Sequence, residues 1–214
     1  MSKVAAIVLD MDGTFLDSRE LIYQAMNDVL AIRNVAVTRE EMAAVTGQPV
    51  QAMYRVLAPE HDPAELELEH LKHHEDHLDL LDIYPEAHEV LAYLSQHYKL
   101  GIFTGFDKLT YERLDQFKLR PYFQSIVENT RYTKHKPDPE GLVLCMQELG
   151  VSPDTTVYVG DGITDMKAGK AAGVMMTIGI THGFGSEIDL RTAGADYIVS
   201  SLAELQTTIE NIEQ

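Results

Sequence analysis

Six short apolar runs punctuate this chain, and their placement constrains its fold more than any other feature. Residues 4–9, 100–103, 125–127, 157–159, 175–180 and 197–199 are nearly continuous in apolar character. Strands covered on both faces read this way, because every side chain meets an apolar layer. Helical patterns alternate with the later runs, so the chain predicts an α/β fold with a parallel sheet flanked by helices.

The first run stands apart. After Leu9 the next strand-like run begins only at Leu100. Part of that gap is a helix over 85–96, with Val90, Leu91 and Leu94 on one face. The remainder, 16–82, reads as helices alone. Asp17 with Glu20, and Thr38 with Glu41, form capping-box patterns. Asp62, Pro63 and Glu65 supply an N-cap, a first-turn proline and an acidic third position. Leu21, Ile22, Ala25, Met26, Val29 and Leu30 recur at helical spacing. The expected organisation is a core of 1–15 and 83–214, interrupted after strand one by an all-α domain over 16–82. A length of 214 residues suffices for such a core and a modest insert.

Open parallel sheets bind ligands beyond the carboxyl ends of their strands. Asp10-Met11-Asp12-Gly13-Thr14 follows the first run, Thr104-Gly105 the second, and Gly160-Asp161-Gly162-Ile163-Thr164-Asp165 the 157–159 run. If these strands are neighbours, four carboxylates and a threonine converge on one crevice. Carboxylates so clustered repel one another, at a cost of several kcal/mol unless a cation or a proton intervenes. A hard divalent cation removes that cost, and Mg²⁺ prefers few carboxylates, several waters and phosphate oxygens. Asp10 and Asp161 are the expected direct ligands, with a backbone carbonyl from Asp12 and with Asp165 holding metal-bound water.

Phosphoryl transfer needs in-line positioning and neutralisation of the equatorial oxygens. A carboxylate can be the nucleophile, and a second carboxyl can protonate the leaving oxygen and then activate water. Asp10 and Asp12, two apart at a strand end, suit these roles. Gly13 permits a tight turn there. The Thr104 hydroxyl and nearby N–H groups can donate to phosphoryl oxygens, and Lys136 can supply positive charge.

That local charge matters because the chain carries a formal net charge of −17. Such a field repels a phosphorylated substrate, and it argues against nucleic acid or an anionic membrane as partners. A single cysteine, Cys145, excludes an intrachain disulfide and fits a cytoplasmic setting. It sits among Leu142, Val143, Leu144 and Met146, so packing rather than reactivity is expected. The 4–9 run is too short for a signal peptide or a membrane span.

In order along the chain, Asp10-Met11-Asp12-Gly13-Thr14, Ile102-Phe103-Thr104-Gly105, Lys136-Pro137-Asp138-Pro139-Glu140 and Gly160-Asp161-Gly162-Ile163-Thr164-Asp165 resemble the four motifs of the haloacid dehalogenase superfamily of phosphohydrolases. Tyr84-Pro85-Glu86 and residues 168–173 resemble stretches of its phosphoglycolate phosphatase-like branch, whose helical cap the insert matches. The resemblance covers essentially the whole chain. It implies a Rossmann-like core, Mg²⁺ as cofactor, and Asp10, Asp12, Thr104 and Lys136 as catalytic residues. Asp10, Asp12, Asp161 and Asp165 are the implied metal site. Gly13, Thr14 and Gly105 fall on substrate-binding positions, and Gln48 and Arg55 are candidate cap readers of the leaving group. Two departures stand out. Gly162 occupies a position where the family usually has Ser, and Phe106 one where small polar residues are commoner.

The expected activity is hydrolysis of a small phosphate monoester through an aspartyl-phosphate, by a monomer or homodimer acting on a phosphorylated metabolite. A dehalogenase would lack the second aspartate, and phosphonoacetaldehyde hydrolase would need a cap lysine that the insert does not place. The alternatives are a β-phosphoglucomutase-like phosphosugar mutase and, from another class, a catalytically idle binding or regulatory module. One further pattern stands outside this scheme. His70, His73, His74 and His77 occur at spacings of four within an acidic helical stretch. That is metal-ligand spacing, but with no separate ligand cluster the expectation is a solvated helix face.

Overall fold

The computed structural model describes residues 3–46, 48–105 and 109–212. Phe106, one of the two departures noted above, and Gly47 lie outside them. The elements run β1 (Ala6–Leu9), β2 (Leu16–Asp17), α1 (Arg19–Ala31), α2 (Arg39–Val45), α3 (Val50–Leu57), α4 (Pro63–Asp76) and β3 (Asp82–Ile83). They continue with α5 (Ala87–His97), β4 (Lys99–Phe103), α6 (Thr110–Gln116), β5 (Ser125–Val127) and α7 (Glu140–Leu149). The last are β6 (Thr156–Gly160), α8 (Ile163–Ala172), β7 (Met176–Ile180), α9 (Glu187–Thr192), β8 (Tyr197–Val199) and α10 (Leu202–Ile212).

Six of these strands form one sheet in the order β5-β4-β1-β6-β7-β8. Every pairing in it is parallel. The architecture is the expected Rossmann-like α/β sheet with flanking helices. β1 lies near the centre, and Ala6, Ile7, Val8 and Leu9 are each fully buried. Leu9 registers with Ile102 on β4 and Val159 on β6. Asp10 therefore sits level with Phe103 and Gly160, and Thr104 and Asp161 follow one residue further on.

Helix α7 packs closely on the sheet because the strand beneath it is cut away. A Cβ on Gly101 of β4 would lie 2.4 Å from the Cys145 sulfur, and one on Gly141 would lie 2.3 Å from the Phe103 ring. Cys145 is fully buried, and burial pushes its thiol up to about 12, as a packing residue requires.

The chain divides into two compact units, Met1–Leu16 with Ile83–Gln214, and Asp17–Asp82. The second contains α1–α4, with Val29, Leu30, Tyr54, Ala58 and Leu66 in its core. Thr38 and Glu41 form a reciprocal capping box on α2. Asp62 caps α4 through the Ala64 N–H, with Pro63 in the first turn. The other capping expectation is corrected. The N-cap of α1 is Ser18, and Asp17 instead accepts from the Arg19 backbone and guanidinium. An arginine immediately inside the helix competes for the aspartate more strongly than the helix end does.

The histidines also differ from expectation. His70, His73 and His74 are buried rather than solvated. The Tyr54 hydroxyl lies 2.9 Å from His70 Nδ1, and His73 Nε2 lies 3.0 Å from an Asp28 oxygen. The i,i+4 pairs are in ring contact, with His73 stacked on His77 and His70 tilted against His74. This face of α4 is turned toward α1 and α3, so ring faces are covered while one ring nitrogen each of His70 and His73 meets a polar group. Among the described residues no helix is long and apolar enough to cross a membrane.

Candidate active site

The site grows from the carboxyl ends of β1, β4 and β6. At the end of β1 the chain turns sharply. Gly13 has φ +74°, and a Cβ there would lie 2.2 Å from an Asp161 oxygen. Glycine is required twice over, by backbone conformation and by the close approach of a carboxylate. Its N–H donates to the Leu16 carbonyl at 2.8 Å, closing the turn.

Asp10, Asp161 and Asp165 each offer a carboxylate oxygen within 4.8 Å of the others. Lys136 lies between two of them. Its Nζ is 2.8 Å from Asp10 Oδ1 and 2.7 Å from Asp165 Oδ1. The ammonium also lies over the Phe103 ring, 4.7 Å from its centroid. Burial favours loss of the Lys136 proton, but Asp10 and Asp165 outweigh it and the group is held protonated.

Each carboxylate is further fixed from behind. Asp165 accepts from the Tyr158 hydroxyl at 2.8 Å and from the Gly162 N–H at 2.9 Å. With glycine as the N-cap residue, no side chain there can cap α8, and Asp165 reaches back to the helix start. Asp161 accepts from the Phe184 N–H at 2.7 Å. The loop carrying Phe184 approaches closely because Gly183 leaves room, since a Cβ there would lie 2.2 Å from Asp161 Oδ2. The same loop holds the turn after β1, with His182 Nε2 2.9 Å from the Thr14 carbonyl oxygen and Tyr84 stacked on the imidazole.

Electrostatics make this cluster unfavourable without a cation. Burial pushes the Asp10 carboxyl up to about 7, with Lys136 opposing and Asp165 adding to the rise. Asp161 is raised well above the carboxylate range by burial and by the charges of Asp10 and Asp165. Hard oxygen donors brought together in a buried place fit a small divalent cation. Asp10, Asp161 and Asp165 are the residues that would hold one.

The remaining candidates are placed as follows. Asp12 is nearly buried, and its carboxylate faces Arg113, whose Nη1 is 3.3 Å from Oδ1 and 3.5 Å from Oδ2. Thr104 is buried at the end of β4. Its N–H donates to the Val127 carbonyl, and its own carbonyl accepts from the Tyr132 hydroxyl. Its N–H is thus spent on the sheet. Thr14 is fully buried, and its hydroxyl has no hydrogen-bond partner among the described residues. Gly105 is exposed, with its carbonyl accepting from Asn129. Gln48 and Arg55 belong to the Asp17–Asp82 unit. Gln48 precedes α3, and Arg55 lies in its last turn, bonded to Gln51. A Cβ at Gly162 would lie 3.0 Å from Asp165 Oδ2, so the family's usual serine needs only a slight shift of that carboxylate.

Sequence reasoning did not find Tyr158, Phe184 or Arg113. Tyr158 is hidden within an apolar strand, and Phe184 acts through its backbone. Arg113 did leave a signal, since it shares the Thr110 and Leu114 face of α6, where a charge is out of place. A separate open groove of about 530 Å³ runs beside β5, lined by Tyr111, Arg120, Phe123 and Arg131 among others. None of the residues described above lines it, and its two arginines pair with Asp115 and Glu148.

The parallel sheet thus carries three carboxylates beyond the ends of the adjacent strands β1 and β6, with a buried lysine between two of them. The family model described as "Haloacid dehalogenase-like hydrolase" matches residues 7–178. The chain belongs to that family and is a phosphatase-type hydrolase. Pyrophosphatase PpaX of Listeria welshimeri is 26% identical over 219 aligned positions, covering 99% of both chains. Phosphoglycolate phosphatase of Nitrosococcus oceani is 29% identical over 129 positions, 59% of this chain and 57% of that one. In fold, the chain is similar to a haloacid dehalogenase-like family hydrolase from Streptococcus pneumoniae, with a TM-score of 0.90. That match covers 97% of this chain and 99% of the other at 22% identity.

Proposed function

We propose that this enzyme hydrolyses a small phosphate monoester with the help of Mg²⁺, through a phosphoryl group carried transiently on Asp10. The observation that carries the reading is Lys136 bridging Asp10 and Asp165 at 2.8 and 2.7 Å, beside the Asp161 carboxylate. Asp10 attacks phosphorus, and the bond to the ester oxygen breaks with its electron pair. Asp12 protonates that departing oxygen. In the second step Asp12 takes a proton from water as the water attacks phosphorus, and the Asp10 carboxylate is released. Lys136 orients Asp10 and offsets charge on the phosphoryl oxygens, and the Thr104 hydroxyl donates to one of them. When bound, Mg²⁺ would neutralise the carboxylates and the transferring group.

The inserted unit is the proposed selector of the leaving group, with Gln48 and Arg55 as candidate contacts. 2-Phosphoglycolate, a sugar phosphate and a nucleotide are candidate substrates. The names of the relatives add pyrophosphate to the panel that kcat/KM would rank. Release of p-nitrophenol from p-nitrophenyl phosphate, followed by absorbance with and without Mg²⁺, tests the chemistry. Asp10→Asn is expected to lose at least about 1,000-fold in turnover, as nucleophile removal does elsewhere. Metal-independent turnover, or full activity in Asp10→Asn, overturns the mechanism.

A further inference from the structure

Arg113 has the largest fully buried side chain among the described residues, with no exposed surface. A guanidinium keeps its charge in any protein interior, so burying one is costly unless an anion or strong acceptors meet it. Among the described residues, Asp12 is an anion that it meets. One nitrogen, Nη1, approaches both carboxylate oxygens, at 3.3 and 3.5 Å. A short two-nitrogen fork would occupy the best acceptor positions of a carboxylate. This longer approach from one nitrogen restrains the group while leaving those positions open for a proton.

Among the described residues, two buried cations at this site are divided between the acids. Lys136 serves Asp10 and Asp165, whereas Arg113 serves Asp12. The Asp12 side chain keeps 11% of its surface exposed and Arg113 none. Arg113 therefore reaches a substrate only through Asp12.

We propose that Arg113 is a positioning residue that aims the Asp12 carboxyl at the leaving oxygen. This rests on the phosphoryl-transfer reading above and assigns a new part within it. Asp12 matters most when the departing oxygen is basic and cannot leave without a proton. It matters least for p-nitrophenolate, which is stable as an anion. Loss of Arg113 should thus harm esters unequally, whereas a purely structural role would lower all of them alike.

The test uses the full chain with Mg²⁺ and phenyl phosphates of similar shape, from p-nitrophenyl through phenyl to p-methoxyphenyl phosphate. The readout is kcat/KM, which reports the enzyme up to departure of the first product. Arg113→Met is expected to lose about 10-fold or less on p-nitrophenyl phosphate and about 100-fold or more on p-methoxyphenyl phosphate, within the usual range for general acid catalysis. Arg113→Lys should recover part of the difference. In an Asp12→Asn background, Arg113→Met should add no further leaving-group dependence. Equal losses across the series, or no loss, overturn the proposal. If Arg113→Met does not fold, Arg113→Lys is read by the same criterion, with a smaller unequal loss expected. Failure of the wild-type enzyme to hydrolyse any ester with Mg²⁺ would instead overturn the phosphatase reading. An active wild type with parallel losses in the variants overturns only the role of Arg113.

Discussion

Gly13 shows how much one residue can fix. Its φ of +74° disfavours any side chain, and its missing Cβ makes room for the Asp161 carboxylate. Gly13→Ala is expected to destabilise the protein by more than about 1 kcal/mol, since alanine at positive φ is strained before any clash is counted. Urea unfolding with and without Mg²⁺ checks this. The substitution should also shrink the stabilisation by Mg²⁺, because Asp161 must move, and an unchanged response to the metal would contradict the geometry. The tight turn at Gly13 was legible in the sequence because turn chemistry is a local property. Arg113 was not singled out there, because an arginine in a short helix reads as a surface charge until its face of the helix is known to be buried.

At the scale of elements, the six strands of the main sheet followed from apolar runs to within a residue or two, whereas β2 and β3, two residues each at the edges of the stretch read as helices alone, were not foreseen. The run beginning at Val4 becomes a strand only at Ala6, and β4 starts earlier, at Lys99, whose ammonium bonds the Leu149 carbonyl. Capping signals were less uniform. Thr38 found no competitor and formed its box, whereas Asp17 was taken by Arg19. Packing between elements left little trace in the sequence. The seat of α7 on β4 depends on Gly101 facing Cys145. Gly101→Ala is expected to cost about 1–3 kcal/mol as an overpacked core. Adding Cys145→Ala to the same chain should recover part of that loss, because the sulfur is the obstructing atom. Denaturation midpoints of the two single variants and the double variant measure the coupling, and strict additivity would rule out this contact as the cause.

For the whole molecule, the acidic cluster links stability, pH and metal. An unfolded aspartate titrates near about 4. In the folded, metal-free protein, burial raises Asp10 to about 7, and Asp161 is raised as well. Through that window the folded state holds protons that the unfolded chain has released, so stability falls as pH rises. Bound at this cluster, Mg²⁺ would take the place of those protons, so its stabilising effect should grow with pH. Melting temperatures in chelator and in Mg²⁺, compared at about pH 5 and about pH 8, test this across the window. An equal increment at both would show that the carboxylates are not the metal's ligands. By itself, the sequence determined the parallel α/β class, the helical insert after the first strand and the segments that follow each strand. All of these are written in periodicity and order along the chain. Tertiary structure alone decided that Lys136 joins Asp10 to Asp165 and that Arg113, 101 positions away, faces Asp12. It also turned three histidines of α4 inward. Such pairings depend on which strands become neighbours and which helix faces are covered, and no local pattern encodes that.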